Sequence, residues 1–179
     1  MKIVAIMGKA GSGKDTILKR IIKKYPEKFN EIVSCTTRPP REGELDGINY
    51  HFLSVEEFTK RVLNGDMLEA TEFNGWHYGT AKSALSEEKT NIGVFNPAGI
   101  YCLMEEKDID LQVYFIQTKD KLRLMRQLSR EEDPNIEEII RRYGADKIDF
   151  EDVEDIDYIS LRNNTKEDLD FAVQMIGQN

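Results

Sequence analysis

The sequence has few cysteines and histidines, which limits the metal and disulfide chemistry it can support. Of 179 residues only two are cysteines and two are histidines. Cys35 and Cys102 lie far apart and lack metal-ligand neighbours, so we expect buried thiols rather than a disulfide. His51 and His77 have no metal-ligand spacing and are expected to be surface or packing residues. A disulfide framework and a Cys/His metal site are therefore not expected.

Positive charge and long apolar runs are also lacking. The formal net charge is −8, whereas surfaces that bind nucleic acid are usually basic, so we expect no nucleic acid partner. Local clusters of Lys and Arg must then attract any small phosphate ligand. No run approaches the ~20 apolar residues of a membrane span, and an apolar strand pattern follows Met1 without a basic leader. We expect a cytoplasmic protein with no membrane partner, either a monomer or a homodimer.

The clearest motif lies in the first sixteen residues. An apolar run from Ile3 to Met7 ends in Gly8-Lys9-Ala10-Gly11-Ser12-Gly13-Lys14-Asp15-Thr16, and apolar residues at helical spacing follow. Strand, glycine-rich turn and helix in this order form a nest of backbone N–H groups for a polyphosphate. The strict motif has a Mg²⁺-binding hydroxyl directly after the lysine. Here Asp15 has that position and Thr16 follows, so both are candidate metal ligands in a variant of the motif.

Strand and helix patterns alternate along most of the chain. This alternation predicts an α/β fold of three layers, with a central parallel sheet and helices on both faces. The strands are predicted near residues 3–7, 31–34, 92–95, 111–117 and 157–161, and the helices near 14–25, 82–89, 97–106, 119–130, 136–147 and 166–177.

Residues 34–80 interrupt this alternation. They are rich in glycine and proline, and short strand patterns lie near 49–53, 67–73 and 76–79. The capping-box pair Ser54 and Glu57 predicts the start of one helix within them. We expect a small antiparallel lobe inserted over 34–80 and a short lid over 129–145. The single domain would have its core in 1–33, 81–128 and 146–179.

Two segments of the inserted lobe carry further signatures. One contains Ser34, the string Thr36-Thr37-Arg38, Arg41, Asp46-Gly47 and Tyr50-His51-Phe52, and the other contains Leu68-Glu69 and Tyr78-Gly79-Thr80. Together with the glycine-rich loop, these strings resemble the guanylate kinase family of P-loop nucleoside monophosphate kinases over nearly the whole chain. The resemblance implies transfer of the γ-phosphoryl group of ATP to GMP or dGMP, giving ADP and GDP or dGDP, with Mg²⁺ as cofactor.

The chemistry of these residue types fits such a reaction. Arg38 and Arg41 each offer a planar fork for bidentate phosphate contact, and Tyr50 and Tyr78 can donate phenolic hydrogen bonds. The carboxylate of Glu69 can accept both N1–H and the exocyclic amine of guanine, whereas adenine presents a lone pair at N1. A site built on such hydrogen bonds discriminates by about 10⁴-fold or more against a ligand that lacks the donors.

The resemblance also implies the remaining roles. The expected catalytic residues are Lys14, Arg38, Arg41, Arg130, Arg141 and Arg142, the last three as lid arginines. The expected ATP-binding residues are Gly8, Lys9, Ala10, Gly11, Ser12, Gly13, Lys14, Asp15, Thr16 and Asn163. The expected GMP-binding residues are Ser34, Arg38, Arg41, Tyr50, Glu69, Tyr78, Thr80 and Asn96, and the expected metal ligands are Asp15 and Thr16.

Departures from the family leave alternatives open. Val94 and Asn96 replace an acidic pair, which removes charge near the Mg²⁺ or guanosine, and we expect Asp15 to restore an acidic group near Mg²⁺. One alternative function is a non-catalytic module that binds phosphorylated peptides. Another is a kinase of the same fold with a different nucleoside monophosphate acceptor. The retained Gly8, Gly13 and Lys14 favour an enzyme.

Overall fold

A computed structural model describes residues 1–41, 43–73, 75–130 and 132–178. Nine strands and six α-helices lie within these ranges. The strands are β1 (Lys2–Met7), β2 (Phe29–Glu31), β3 (Cys35–Thr36), β4 (His51–Phe52), β5 (Met67–Phe73), β6 (Trp76–Ala81), β7 (Thr90–Val94), β8 (Asp110–Gln117) and β9 (Tyr158–Arg162). The helices are α1 (Lys14–Lys24), α2 (Val55–Leu63), α3 (Pro97–Glu105), α4 (Asp120–Leu128), α5 (Ile136–Asp149) and α6 (Lys166–Gly177).

The larger sheet has five strands in the order β2-β7-β1-β8-β9, and all neighbouring pairs are parallel. Its central strand, β1, is apolar and buried from Ile3 to Met7, as expected of a strand with both faces covered. Val4 and Ile6 pack in a core with residues of α1 and α6, whereas Ile3 packs on the opposite face with Ile100 and Leu103 of α3. Helices therefore cover both faces, and the predicted three-layer α/β fold is confirmed.

The inserted lobe forms a second sheet in the order β4-β3-β6-β5. We predicted an antiparallel lobe, and β6 does pair antiparallel with both β3 and β5, but β3 and β4 are parallel. Residues 37–50 connect β3 to β4, and a parallel connection needs about a dozen residues or more. The lobe has a small core of its own, formed by Cys35, Phe58, Met67 and Ala81.

The predicted helix over 82–89 is wrong. A single 3-10 turn covers Lys82–Ala84, and a loop follows. Asn91 Oδ1 accepts from Ser86 N at 2.7 Å, and Ser86 Oγ accepts from Glu88 N and Lys89 N at 3.2 and 3.1 Å. These side-chain hydrogen bonds compete with a helical ladder for the same backbone groups. The strand predicted at 31–34 is also displaced, because β2 ends at Glu31.

The other predicted helices lie where the apolar periodicity placed them, to within about two residues. The boundary that we placed between lid and core, at residues 145 and 146, lies within the continuous helix α5. No helix in the described part of the chain combines the length and the apolar character that a bilayer crossing requires.

Candidate functional site

A cleft lies at the carboxyl ends of β1 and β7, the usual ligand edge of a parallel α/β sheet. It is bounded by the loop between β1 and α1, the inserted lobe and α5. Most expected site residues line it: Gly8, Ala10, Gly11, Lys14, Asp15, Ser34, Arg38, Arg41, Tyr50, Glu69, Tyr78, Asn96, Arg130, Arg141 and Arg142. The expected residues outside this lining are Lys9, Ser12, Gly13, Thr16, Thr80 and Asn163.

The glycine-rich loop joins the buried strand β1 to the first turn of α1. Gly13 caps α1 with a φ of 88°, a conformation that favours glycine. A Cβ on Gly13 would lie 2.4 Å from Asn163 Nδ2, so a side chain would also clash there. The backbone N–H groups of the first helical turn and the positive end of the helix dipole meet at this point, and both attract anions.

Three side chains support the loop from behind. Each donates a hydrogen bond to the Ser12 carbonyl oxygen: Asn163 Nδ2 at 2.7 Å, Thr118 Oγ1 at 2.9 Å and Arg126 Nη1 at 3.1 Å. Asn163 is 3% exposed, and its amide faces the loop. Contact of Asn163 with ATP stays a prediction, and support of Ser12 is a role that the sequence did not indicate. Sequence analysis also missed Thr118 and Arg126, which no motif had singled out.

Arg38 and Arg41 meet around Glu44, a residue that the sequence analysis did not single out. Arg38 Nη2 donates to both oxygens of Glu44, at 3.0 and 2.9 Å, and the backbone N–H of Arg41 donates to Glu44 Oε2 at 2.8 Å. Burial lowers the pKa of Arg41, and the nearby charges of Arg142 and Arg38 lower it further. Glu44 thus neutralises part of a cluster of cations that would also be stabilised by a bound anion.

Tyr50 and Tyr78 stand beside this cluster. Their ring centroids are 6.0 Å apart, and the guanidinium of Arg38 lies 5.4 Å from the centroid of the Tyr50 ring. Burial raises the pKa of Tyr50, and the negative charge of Asp15 raises it further. The Tyr50 phenol therefore remains protonated at neutral pH and can act as a hydrogen-bond donor.

Glu69 is a buried carboxyl group on β5. It is 7% exposed, and its Oε1 accepts from Thr80 Oγ1 at 2.9 Å. Burial raises the pKa of Glu69 to about 7, against the opposing effect of the Thr80 hydrogen bonds. Gly99 at the start of α3 lies next to this carboxyl group, since a Cβ there would be in ordinary van der Waals contact with Glu69 Oε2 at 3.5 Å. Thr80 lies behind Glu69 and is fully buried.

Asn96 is placed at the start of α3. Its Oδ1 accepts from Gly99 N at 2.7 Å, which caps the helix, and its Nδ2 lies 3.5 Å from Thr71 Oγ1. The side chain is therefore engaged with protein groups on both ends. Contact of Asn96 with GMP stays a prediction.

The expected lid arginines approach the cleft from the opposite side. Arg141 Nε and Arg142 Nε donate to the carboxylate of Glu138, at 2.6 and 2.8 Å. The hydrogen bond from Arg141 is the main cause that lowers the pKa of Glu138 to about 2. Arg130 is exposed and lines the same cleft. Three guanidinium groups of the predicted lid thus line the cleft.

Asp15 and Thr16 fit only part of a magnesium site. Both lie in the first turn of α1 and offer oxygen ligands, and Asp15 Oδ2 lies 3.9 Å from Lys14 Nζ. The described residues contain no group of three or more His, Cys, Asp or Glu side chains that could hold a metal ion. Mg²⁺ commonly binds through one or two carboxylates together with substrate phosphates. The donor set here fits a cation that enters with a nucleotide.

Comparison with known proteins identifies the family. The guanylate kinase family profile matches residues 1–176, nearly the whole chain. This chain belongs to the guanylate kinase family. A guanylate kinase of Clostridium perfringens (strain SM101 / Type A) is 47% identical over 85 residues, which cover 48% of this chain and 39% of the relative. A guanylate kinase of Frankia casuarinae is 40% identical over 105 residues, which cover 59% of this chain and 53% of the relative.

The matched region of this guanylate kinase family member thus spans about half or less of these relatives. A crystal structure of guanylate kinase from Anaplasma phagocytophilum superimposes with a TM-score of 0.73 at 23% identity, and the match covers 98% of this chain and 82% of that one. That likeness shows the fold.

Proposed function

We propose that this member of the guanylate kinase family transfers the γ-phosphoryl group of ATP to GMP or dGMP, giving ADP and GDP or dGDP. The observation that carries the proposal is the order of groups along one cleft. A phosphate-binding type of loop forms one wall, Arg38 and Arg41 lie in the inserted lobe, and the buried carboxyl of Glu69 lies beyond them. Such an order suits two nucleotides that meet through their phosphates.

The donor nucleotide would bind at the glycine-rich loop. Backbone N–H groups within residues 9–16 would hold its phosphates, apart from those of Ala10 and Ser12, which donate to Asp146 and to the Lys9 carbonyl. Lys14 would place its ammonium group between the β- and γ-phosphates. The Lys14 side chain is 20% exposed and lines the cleft, so it can reach a ligand there. Asn163 would contact the adenine end or act through its hydrogen bond to Ser12.

The acceptor would bind in the inserted lobe. Arg38, Arg41, Tyr50 and Tyr78 would hold the GMP phosphate, and Glu69 would accept the two donors of the guanine edge. Ser34, Thr80 and Asn96 would complete the nucleoside contacts. Because Glu44 occupies the Arg38 fork, the acceptor phosphate would have to displace or share it.

Magnesium would be held by Asp15 and Thr16 together with the phosphates of ATP, and it would supply neutralisation of the charge on the β- and γ-oxygens. The chain's own residues would then align the two nucleotides, which is most of the catalytic work in phosphoryl transfer. Arg130, Arg141 and Arg142 would stabilise the charge on the transferred group. Closure of the lid would exclude water and suppress hydrolysis of ATP.

The deciding experiment is a coupled ADP-release assay with ATP and Mg²⁺ across GMP, dGMP, AMP, UMP and dTMP. We expect turnover with GMP, dGMP or both, and at most trace turnover with AMP, UMP and dTMP. Turnover with a different monophosphate would favour a kinase with another acceptor. If no monophosphate is turned over while a phosphorylated peptide binds, the binding module would be favoured instead.

The metal assignment has its own test. Asp15→Asn keeps the size of the side chain and removes its charge, so we expect the Mg²⁺ concentration for half-maximal turnover to rise. The exposed Glu27→Gln, at the end of the segment after α1, is a control that should leave the Mg²⁺ titration unchanged. An unchanged titration for Asp15→Asn would remove Asp15 from the metal site.

We also propose which segments of the single domain form the acceptor-binding lobe, the lid and the core. Residues 34–80 would be the acceptor-binding lobe, 129–145 the lid, and 1–33, 81–128 and 146–179 the core. We propose a cytoplasmic location, a monomeric or homodimeric state and no membrane partner. We also propose that the chain has no nucleic acid partner, which the net charge of −8 supports.

A further inference from the structure

Both backbone hydrogen-bonding groups of Ala10, in the glycine-rich loop, are held by side chains. The Ala10 N–H donates to Asp146 Oδ1 and Oδ2 at 3.1 and 2.9 Å. The Ala10 carbonyl accepts from Arg123 Nε at 2.9 Å. Arg123 Nη2 also donates to Asp146 Oδ2. The arginine of α4, the aspartate of α5 and one loop residue thus form a closed ring of hydrogen bonds.

This ring is buried and its arginine is fully engaged. Arg123 is 3% exposed and Asp146 is 8% exposed. The third nitrogen of Arg123, Nη1, donates to Asp120 Oδ1 at 2.7 Å, and the guanidinium lies 4.7 Å from the centroid of the Tyr143 ring. Replacing a buried ion pair by apolar side chains is often neutral or even stabilising. Stability alone therefore does not explain why charged groups occupy this place.

The ring connects two parts of the proposed ATP site. Arg142 and Asp146 are four residues apart in α5 and lie on the same face of the helix. Both side chains line the cleft, and Asp146 also holds the loop through Ala10. The backbone of α4 also lies against the loop, because a Cβ on Gly11 would come within 2.5 Å of the Arg123 carbonyl oxygen. A change in the ring would therefore alter both the loop and the position of Arg142.

We propose that Arg123 and Asp146 are positioning residues that hold the glycine-rich loop in its ATP-binding conformation and set α5, with Arg142, against it. This inference rests on the proposed function only where ATP is concerned. The restraint on Ala10 is a property of the protein without nucleotide. It is therefore measurable whether or not the chain is a kinase.

The test uses the double variant Arg123→Leu with Asp146→Ala, which replaces the buried pair by apolar groups. The matched control is Arg20→Leu with Asp170→Ala, which removes an ion pair of 2.9 Å between α1 and α6, outside the cleft lining. The readouts are thermal unfolding, hydrogen exchange of the Ala10 amide by NMR, and steady-state kinetics and binding for each nucleotide. All use the full chain.

We expect the double variant to unfold cooperatively and to exchange the Ala10 amide at least about tenfold faster than the parent. Its kcat/KM for ATP should fall by about 10²-fold, the scale of a small misplacement in a preorganised site. The Kd for GMP should stay within about twofold, because the side-chain hydrogen bonds of Arg123 and Asp146, within the described residues, join them to each other, to Ala10 and to Asp120, and none joins them to the acceptor lobe. Asp146→Asn keeps an acceptor for Ala10 N–H and should have an intermediate exchange rate. The control pair should match the parent in every readout except unfolding temperature.

Three outcomes would overturn the inference. Exchange of Ala10 at the parental rate would show that the ring does not restrain the loop. Equal losses for ATP and GMP would indicate a general packing role. A folded double variant with faster exchange and parental kinetics for ATP would show that the restraint has no functional consequence. Failure of the parent to turn over any monophosphate would contradict the proposed function, and the exchange rates would then still decide whether the loop is restrained.

Discussion

At the scale of single residues, Glu69 combines burial with a charge that its proposed role requires. A carboxylate must be ionised to accept two hydrogen bonds from guanine, yet burial raises the pKa of Glu69 to about 7. The Thr80 hydroxyl offsets part of this effect through its hydrogen bond. Binding of guanine would supply the missing donors and favour the ionised form. Proton release should therefore accompany GMP binding near neutral pH.

GMP affinity should consequently depend on pH. Below about pH 7 the carboxyl of Glu69 is protonated, so the Kd for GMP should rise by about tenfold for each pH unit, and it should level off above about pH 8. Isothermal titration calorimetry from pH 5 to pH 9 provides the measurement. The phosphate of GMP itself titrates near pH 6, and Glu69→Gln is the control because it retains that titration alone. Identical pH profiles for both proteins would contradict the prediction.

The same shift has a consequence for stability. The folded-state pKa of about 7 exceeds the ordinary value of 4.5, so between these pH values the folded protein retains a proton that the unfolded chain releases. The contribution of Glu69 to the free energy of unfolding therefore falls as pH rises through this window, by at most about 3 kcal/mol. Glu69→Gln should be more stable than the parent at pH 8 by a larger margin than at pH 5. Urea denaturation at both pH values would measure the difference in free energy of unfolding between the variant and the parent. An equal difference at pH 5 and pH 8 would contradict the prediction.

Lys14 is the residue with the most direct proposed role in transfer. Lys14→Ala should lower kcat by about 10²-fold or more, because the transition state loses a preorganised positive charge. Lys23→Ala, in the last turn of the same helix, removes an equal charge from an exposed position and should leave kcat unchanged. The ADP-release assay measures both variants. Activity of Lys14→Ala within about threefold of the parent would remove Lys14 from its assigned role.

At the scale of elements, α2 shows how a local signal fixes a helix end. Ser54 Oγ accepts from Glu57 N at 3.1 Å, and Glu57 Oε2 accepts from Ser54 N at 3.0 Å, so the capping box predicted from sequence is present. Phe58 of this helix packs in the core of the inserted lobe. The start of α2 and the anchoring of the lobe are therefore linked.

Removal of this cap should weaken the lobe. Ser54→Ala should lower the free energy of unfolding by about 1 kcal/mol, since the backbone N–H of Glu57 loses the Ser54 hydroxyl as its acceptor. Thr59→Ala, at an exposed position inside the same helix, is the control and should be neutral or slightly stabilising. Chemical denaturation measures both. A loss for Thr59→Ala as large as that for Ser54→Ala would show that the cap is not the cause.

Helix α4 shows the limit of sequence patterns at this scale. Its apolar residues Leu124, Met125 and Leu128 are 40%, 52% and 38% exposed, whereas Arg123 and Gln127 are each 3% exposed. Periodicity predicted the helix and its bounds, but the usual rule of apolar residues inside would have chosen the wrong face. The charged face is buried because it meets the loop backbone and Asp146, which are partners distant in sequence.

At the scale of the whole molecule, a net charge of −8 coexists with a cleft that five arginines line. These are Arg38 and Arg41 in the lobe, which has its own small core, and Arg130, Arg141 and Arg142 in the predicted lid. The guanidinium of Arg141 lies 5.8 Å from the centroid of the Trp76 ring in the lobe. Glu44 and Glu138 neutralise part of this positive charge, and the repulsion that remains opposes closer approach until anions arrive. Binding of phosphates between the two sides should therefore favour a closed form.

Closure can be measured directly. A bisubstrate analogue, with adenosine and guanosine joined through a chain of phosphates, should reduce the radius of gyration in small-angle X-ray scattering, because it neutralises both groups of arginines at once. Guanosine without phosphate is the control and should leave the radius unchanged. Equal radii with and without the analogue would mean that the described form is already closed.

The sequence by itself determined the parts that depend on neighbouring residues. These parts are the buried run of β1, the glycine-rich turn, the capping box at Ser54 and the family strings around Arg38 and Glu69. Each depends on residues that are close together in the sequence, so the residue types alone indicate it. The helix predicted at 82–89 was wrong because Asn91, outside that segment, captures the backbone of Ser86.

Only the tertiary structure decided which charges meet. Packing brings Glu44 into hydrogen-bonding contact with Arg38, and it buries Glu69 so that its pKa rises. Packing also places Arg123 and Asp146 where they hydrogen-bond to Ala10. In the last case the partners lie more than 100 residues from the loop. Desolvation and long-range hydrogen bonding exist only once the chain has folded, and no local pattern encodes them.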